Sequence, residues 1–262
     1  MITRKLMLHM FCIATSAAAA QACADSASAS QQSLIIGLGA QNAPLYSGSD
    51  KRHTQVVPVI QARDGAFFFD SLKGIGYDLQ SDNGLYLEHT LGYGLGRSDR
   101  DSKWRDGSDK LKGMGNIDAT VNTSISAGWM ATSWLSLEER ATLPLSDGQG
   151  VQYRTSVTLI PVQNNNDNVA LQISALFGDG RYMNTFYGVN EEQSTHSGYA
   201  RYRAAGGFYG MDSNLMWSHQ FTPHWGSALS VGYTWLDDHA ANSPIVFQRN
   251  QTTAAVAVTY SF

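Results

Sequence analysis

The chain has only two cysteines in 262 residues, Cys12 and Cys23. Both precede Ala24, so everything beyond that residue is free of thiols. That excludes a disulfide framework, a thiolate metal site and a cysteine nucleophile. Long apolar runs are scarce as well. After the first 24 residues nothing approaches 18 consecutive apolar residues, which excludes a helical inner-membrane protein. Charge is sparse, at 15% of residues, and its basic members gather in no single patch. Nucleic acid is therefore not an expected partner. No metal or cofactor is expected.

Aromatic residues and glycine are abundant: 10 Phe, 6 Trp, 12 Tyr and 25 Gly, with a mean hydropathy of −0.24. A transmembrane β-barrel combines these traits. Its strands need apolar residues only at alternate positions, so average hydropathy stays low while aromatics collect at the interfaces.

The two ends of the sequence agree with a barrel. Arg4 and Lys5 form a positive n-region, Leu6 to Ala20 is apolar and small, and Ala22-Cys23-Ala24 is an A-x-A cleavage pattern. Residues 1–24 read as a signal peptide with Asp25 as the first mature residue. Ala20-Gln21-Ala22 ahead of Cys23 fits a lipobox poorly. Cleavage takes the 18 basic residues to 16 against 22 acidic, a net charge of −6. Residues 25–32 are polar and read as a flexible periplasmic lead. At the other end, Thr252, Ala254, Val256, Val258, Tyr260 and Phe262 share one face, and small or hydroxylated residues share the other. A period of two is a strand. Val258, Tyr260 and Phe262 resemble the closing signal read by the bacterial barrel-assembly machinery.

Alternation and turn signals divide residues 33–262 into strands at 33–41, 55–63, 66–71, 74–80, 85–95, 116–130, 134–145, 151–162, 169–178, 208–220, 225–235 and 251–262. Twelve is an even count, with ten as the alternative, and places both termini on the periplasmic side of an antiparallel up-and-down barrel. The connections then sort by length. The outer set is 42–54, 72–73, 96–115, 146–150, 179–207 and 236–250. The periplasmic set is 64–65, 81–84, 131–133, 163–168 and 221–224. Trp134 and Trp225 follow two of the periplasmic turns, at a membrane boundary where amphipathic rings settle.

Several blocks carry a family resemblance. They are Gly37-Leu38-Gly39-Ala40 with Pro44 and Tyr46-Ser47-Gly48-Ser49-Asp50; Val57-Pro58-Val59-Ile60; Tyr93-Gly94-Leu95-Gly96-Arg97 with Leu111-Lys112-Gly113-Met114-Gly115; and Tyr233-Thr234-Trp235-Leu236 with Ser243-Pro244-Ile245-Val246. Together with the aromatic-ended last strand, they resemble the MltA-interacting protein (MipA)/OmpV family of outer-membrane proteins. The resemblance implies an outer-membrane barrel in contact with lipid and lipopolysaccharide. It also implies scaffold roles for murein-processing enzymes (a transglycosylase or a synthase), adhesion, or osmotic and antibiotic response. It carries no catalytic residues.

Tyr46, Gly48, Asp50, Arg97, Gly113, Gly115, Ser243 and Pro244 fall at or just beyond the outer strand ends. They are expected to fold the loops into the barrel mouth, with Arg97 and Asp50 pairing to tie the first outer loop to the third. An omptin-like protease would need Asp99-Arg100-Asp101 to face Asp237-Asp238-His239 across the mouth. The dense charge run from Arg97 to Lys112 makes a D-x-D there easy to reach by chance. A lipid-facing Ser-His arrangement with convincing spacing is absent. A non-enzymatic scaffold or interaction barrel is the expected function, with a narrow passive pore as the alternative. Deleting Phe262 is predicted to lower the folded outer-membrane level while export continues; unchanged levels in fractionated membranes would refute this.

Overall fold

The computed structural model describes residues 32–102, 105–145 and 148–262. The expected signal peptide, its cleavage residues Ala22, Ala24 and Asp25, and residues 25–31 lie outside the described residues.

Among the described residues fourteen strands follow one another: β1 (Gln32–Pro44), β2 (Arg52–Asp64), β3 (Phe67–Asp70), β4 (Gly74–Gln80), β5 (Leu85–Gly94), β6 (Arg97–Ser98), β7 (Asp106–Gly107), β8 (Thr120–Thr132), β9 (Leu135–Pro144), β10 (Gln152–Gln163), β11 (Asp167–Gly178), β12 (Gly207–Gln220), β13 (Trp225–Leu236) and β14 (Asn250–Ser261). Helices α1 (Gly180–Tyr187), α2 (Glu191–Ser197) and α3 (Asp238–Ala241) lie between them. All strands except β6 and β7 close into one antiparallel barrel of twelve, in the order β1-β14-β13-β12-β11-β10-β9-β8-β5-β4-β3-β2. β6 and β7 form a separate parallel pair.

The expected strands are therefore present, with shifted ends. The largest shift is at 116–119, expected as strand. There Ile117 pairs its backbone with Arg97, outside the barrel ladder, and β8 begins only at Thr120. The ring closes where β1 meets β14, from Ile35 opposite Ser261 to Asn42 opposite Ala254. The Phe262 amide adds a bond to the Leu34 carbonyl, 3.0 Å. At one end the connections are turns of no more than four residues; at the other they run as long as 179–206.

Outward positions are apolar and exposed, as in Leu34, Ile36 and Leu38 on β1 or Leu229, Val231 and Tyr233 on β13. This is the inverse of a soluble core and suits contact with lipid. Aromatics ring the short-turn end. Tyr260 packs on Trp225 and Phe262, with ring centroids 5.2 and 5.0 Å apart. Trp129 Nε1 donates to the Asn83 carbonyl.

Polar side chains face inward and bond across strands. Arg140 donates to Ser126 Oγ (2.7 Å) and Glu88 Oε1 (3.1 Å), and Lys73, in the turn before β4, meets Glu88 at 3.2 Å. Arg63–Asp78 and Arg154–Asp212 latch further strands at 2.7 and 2.8 Å. A buried charge is tolerable when paired and hydrogen-bonded. Apolar side chains fill one sector of the lumen, where Ile35 and Val59 meet Ala228, Ala255 and Ala257.

The wall is uneven. β3 has four residues and so covers only Gln61 to Asp64 of β2, with β4 on its other side. Above it Ser71 bonds the Ile60 and Pro58 carbonyls, and β2 runs on to Arg52 with no further strand on that side among the described residues. Pro58 lies along this free edge, where its missing N–H leaves no donor unpaired.

One lumen contact depends on glycine. Tyr86 lies across Gly128 on the neighbouring strand so that its hydroxyl reaches Glu138 Oε2 at 2.9 Å. A Cβ at position 128 would fall 2.1 Å from the Tyr86 ring. Gly128→Ala is predicted to expel this ring and destabilise the barrel by about 1–3 kcal/mol, the usual cost of overpacking. Urea-dependent unfolding in lipid checks it, with no change in midpoint as the contrary result.

Candidate functional site: the plugged mouth

At the long-loop end four chain segments form a second, apolar core inside the barrel mouth. In α1, Tyr182 and Phe186 share one face and Met183 and Tyr187 another, at helical spacing. Asp179 caps the helix by accepting from the Tyr182 amide at 2.6 Å. Met183 and Tyr187 are buried among Leu176, Ala204, Tyr209, Leu236 and Ala240. α2 opens with a capping box between Asn190 and Gln193. Beside it a second cluster joins Tyr46, Leu111, Met114, Val189 and Ile245. Residues 180–197 thus form a helical plug where the sequence suggested only a long loop. The alternating 182/183/186/187 pattern was the available signal.

The motif residues from the sequence stitch this plug together. Tyr46 is buried, and its hydroxyl donates to the Ile245 carbonyl at 3.0 Å. Gly48 has φ 101°, and its amide donates to Gln251 Oε1. A Cβ there would fall 2.8 Å from Val246. Ser243 Oγ donates to the Tyr187 carbonyl, and the Ser243-Pro244-Ile245-Val246 turn closes with the Val246 amide on the Ser243 carbonyl. Gly113, at φ 88°, lies against the α2 end, where a Cβ would fall 2.5 Å from the His196 carbonyl oxygen. Gly115 also has positive φ, 75°, with open space around it.

The expected Arg97–Asp50 pair does not form. Arg97 is buried, lies 5.7 Å from the Tyr46 ring centroid and donates to the Phe186 carbonyl at 2.7 Å. Asp50 stays at the surface and pairs with Lys110 at 2.6 Å. Arg97 is drawn under the plug by the Phe186 carbonyl near the end of α1 and by the Tyr46 ring, leaving Asp50 to Lys110. The first and third loops are still tied, by the Lys110–Asp50 pair in place of the one expected. Burial pushes the Arg97 pKa down, opposed by Tyr46, Tyr187 and Asp106.

The omptin-like constellation is not assembled. Asp99 and Asp101 accept backbone amides of their own loop, from Gly113 and Asp109. Asp237 caps α3, and His239 lies beside Asp237 and the Phe208 carbonyl. No contact joins the two groups among the described residues. On the lipid face His89 Nε2 and Thr123 Oγ1 are 2.8 Å apart. No carboxylate orients this histidine among the described residues, so the couple lacks the third member of a nucleophilic triad. No group of three His, Cys, Asp or Glu suitable for a metal ion occurs among the described residues.

Between α1, α2 and the barrel rim lies an outward cleft of about 780 Å³, lined in part by Asn116, Gln149, Arg181, Arg201, Tyr202 and Arg203. Arg201 pairs with Glu191 at 3.5 Å, both exposed; no ion pair engages Arg181 or Arg203 among the described residues.

A closed twelve-stranded barrel with an apolar exterior, a polar lumen and long loops at one end is an outer-membrane β-barrel. The family model for the MltA-interacting protein MipA matches residues 36–262, so the chain belongs to that family. No curated protein matches. Similar solved structures include the NanC porin (10% identity, TM-score 0.41, covering 88% of this chain and 99% of that one). The COG4313 outer membrane channel from Pseudomonas putida F1 is similar at 11% identity and TM-score 0.41, covering 90% and 97%. DcaP of Acinetobacter baumannii is similar at 11% and 0.38, covering 88% and 97%. The protein resides in the cell outer membrane.

Asp106 provides a pH test of the mouth. It keeps part of its surface open but is crowded by surrounding chain, and burial pushes its carboxyl up to about 6, with His53 and Arg97 opposing. Solvent in the mouth tempers the size of this push and leaves its direction unchanged. A raised carboxyl pKa means the folded state favours the protonated form. Stability from this group is therefore greatest below the unfolded value near 4 and falls as pH rises through about 6. Asp106→Asn is predicted to slow protease nicking of loop 95–119 at pH 7.5 and to match the unsubstituted protein at pH 4. Equal nicking at both pH values would contradict it.

Proposed function

We propose that this barrel is a scaffold of the murein-processing machinery, holding a periplasmic murein transglycosylase or synthase at the inner surface of the outer membrane. The observation that carries this reading is the family match across residues 36–262, to a model described as the MltA-interacting protein. The plug supports it by weakening the pore alternative: α1 and α2 pack in the mouth, and paired side chains occupy the lumen below. Contact with the enzyme falls to the periplasmic rim, where Ser133 and Thr222 sit in turns beside the exposed Trp134, Phe221 and Trp225.

The cleft favours a second reading, a surface interaction with an acidic partner. Arg181 and Arg203 present guanidinium groups outward with no carboxylate paired to them among the described residues, beside Tyr202 and several amides. Arginine recognises carboxylate and phosphate through paired donors.

A photocrosslinker at Ser133 or Thr222, in cells, is predicted to capture a murein transglycosylase or synthase. Steady single-channel conductance in planar bilayers, with no adduct at either position, would overturn the scaffold reading in favour of the pore.

A further inference from the structure

Two ionisable side chains stand on the lipid-facing surface at mid-height of the wall. Glu139 on β9 is exposed between Ala127 of β8 and Thr155 of β10, and Thr155 Oγ1 donates to Glu139 Oε2 at 2.5 Å. His89 on β5 is half-buried; it faces outward at the edge of the Tyr77 ring and bonds Thr123 of β8. A carboxylate facing hydrocarbon is costly, and intramembrane ionisable groups ordinarily pair or face protein. Lipid headgroups do not supply that partner at this depth.

The register fixes where the two groups lie. His89 pairs with Ile125, Ile125 with Ala141, and Glu139 is two residues closer to the periplasmic turn on β9. With strands about 4.8 Å apart and a rise of about 3.3 Å per residue, they lie roughly 12 Å apart. The line between them is inclined by about 35° to the direction of the inter-strand bonds, which is the ordinary tilt of barrel strands. Both are consequently at one depth, four residues beyond Leu85 and Leu135, the first residues of their strands. The surface between them carries Thr123, Ala127 and Ala141, with Ile125 the one large side chain. Small residues allow two backbones to approach closely in a membrane.

We propose that the β5–β8–β9 face is a dimer interface whose occupant is a second copy of this chain. A two-fold axis along the membrane normal preserves depth and exchanges left for right. Placed over β8, it sets His89 of one copy against Glu139 of its partner, and does so twice. Such an isologous contact satisfies both polar groups on each copy and closes on itself. The match of an imidazole with a carboxylate, donor to acceptor, at equal depth selects a second copy over another membrane protein. The interface uses the wall alone, so it leaves the plug and the periplasmic rim free.

Cysteine crosslinking tests this directly, because Cys12 and Cys23 both precede the expected cleavage point. Ala127→Cys, near the axis, is predicted to give a covalent dimer on oxidation of intact outer membranes. Ala254→Cys, lipid-facing on β14, is the control and is predicted to give none. His89→Gln or Glu139→Gln in the Ala127→Cys background should lower the dimer yield about threefold, the size of a weak intramembrane polar contact. Exchanging the pair, His89→Glu with Glu139→His, should restore it. Heat-modifiable gel mobility identifies the folded variants, and yields are compared only among those. Equal yields at positions 127 and 254, or capture of a different protein at 127, would overturn the proposal.

Discussion

Hydrocarbon offers no hydrogen bonds, so every backbone group of a membrane-spanning wall must find its partner in the wall itself. The pairing of β1 with β14 meets that requirement, and the remaining architecture depends on it. A sheet closed with an even number of antiparallel strands returns the chain to the side where it started. All the long connections consequently gather at one end, where the 71–73 turn is the short exception, and the other end carries only short turns. Alternating side chains then divide strictly between lipid and lumen. Among the described residues four arginine and lysine side chains reach into the lumen and pair with carboxylates, Arg63, Arg140 and Arg154 each reaching over one intervening strand.

The mouth obeys different rules. Its apolar clusters face inward, as in a soluble domain, and helices stand on top of a β-structure. The joining of these two regimes relies on a few residues at the strand ends. Tyr46 and Gly48 lead out of β1, Arg97 leads out of β5, and Gln251 at the start of β14 holds the Gly48 amide. Each satisfies a backbone group that the barrel ladder no longer reaches. The structure thus gives Tyr46, Gly48, Arg97 and Gln251 packing and hydrogen-bonding roles at the joint between wall and mouth.

Legibility in the sequence followed the range of the forces involved. Strand alternation is local, so residues 85–95 or 225–235 declared themselves within a few positions. So did the aromatic end, where Tyr260 and Phe262 stand two residues apart on one face. Even β3, four residues long, was visible because Gly65 and the 71–73 turn bracket it. Loops filling the mouth were expected, but the helices of the plug were not read, although 182, 183, 186 and 187 carry a helical spacing, because a barrel assignment treats anything beyond the rim as loop. The Arg97–Asp50 pair failed for a different reason. Opposite charges near two strand ends make a reasonable pair until a third partner competes, and the Phe186 carbonyl that drew Arg97 away lies 89 residues along the chain. Placement of His89 and Glu139 at one depth needed the register between strands, which no single strand contains.

The short β3–β4 hairpin gives the barrel two different heights. Around most of the circumference strands of ten or more residues meet the bilayer, but at β3 and β4 only four and seven do so. At about 3.3 Å per residue, that sector spans roughly 13 to 23 Å along the strand, short of the hydrocarbon thickness once tilt is included. Lipids beside Phe67, Phe69 and Ile75 must therefore tilt or thin to meet the wall. Mismatch of this kind, confined to the β3–β4 sector, favours thinner bilayer on that side of the barrel over the rest of its circumference.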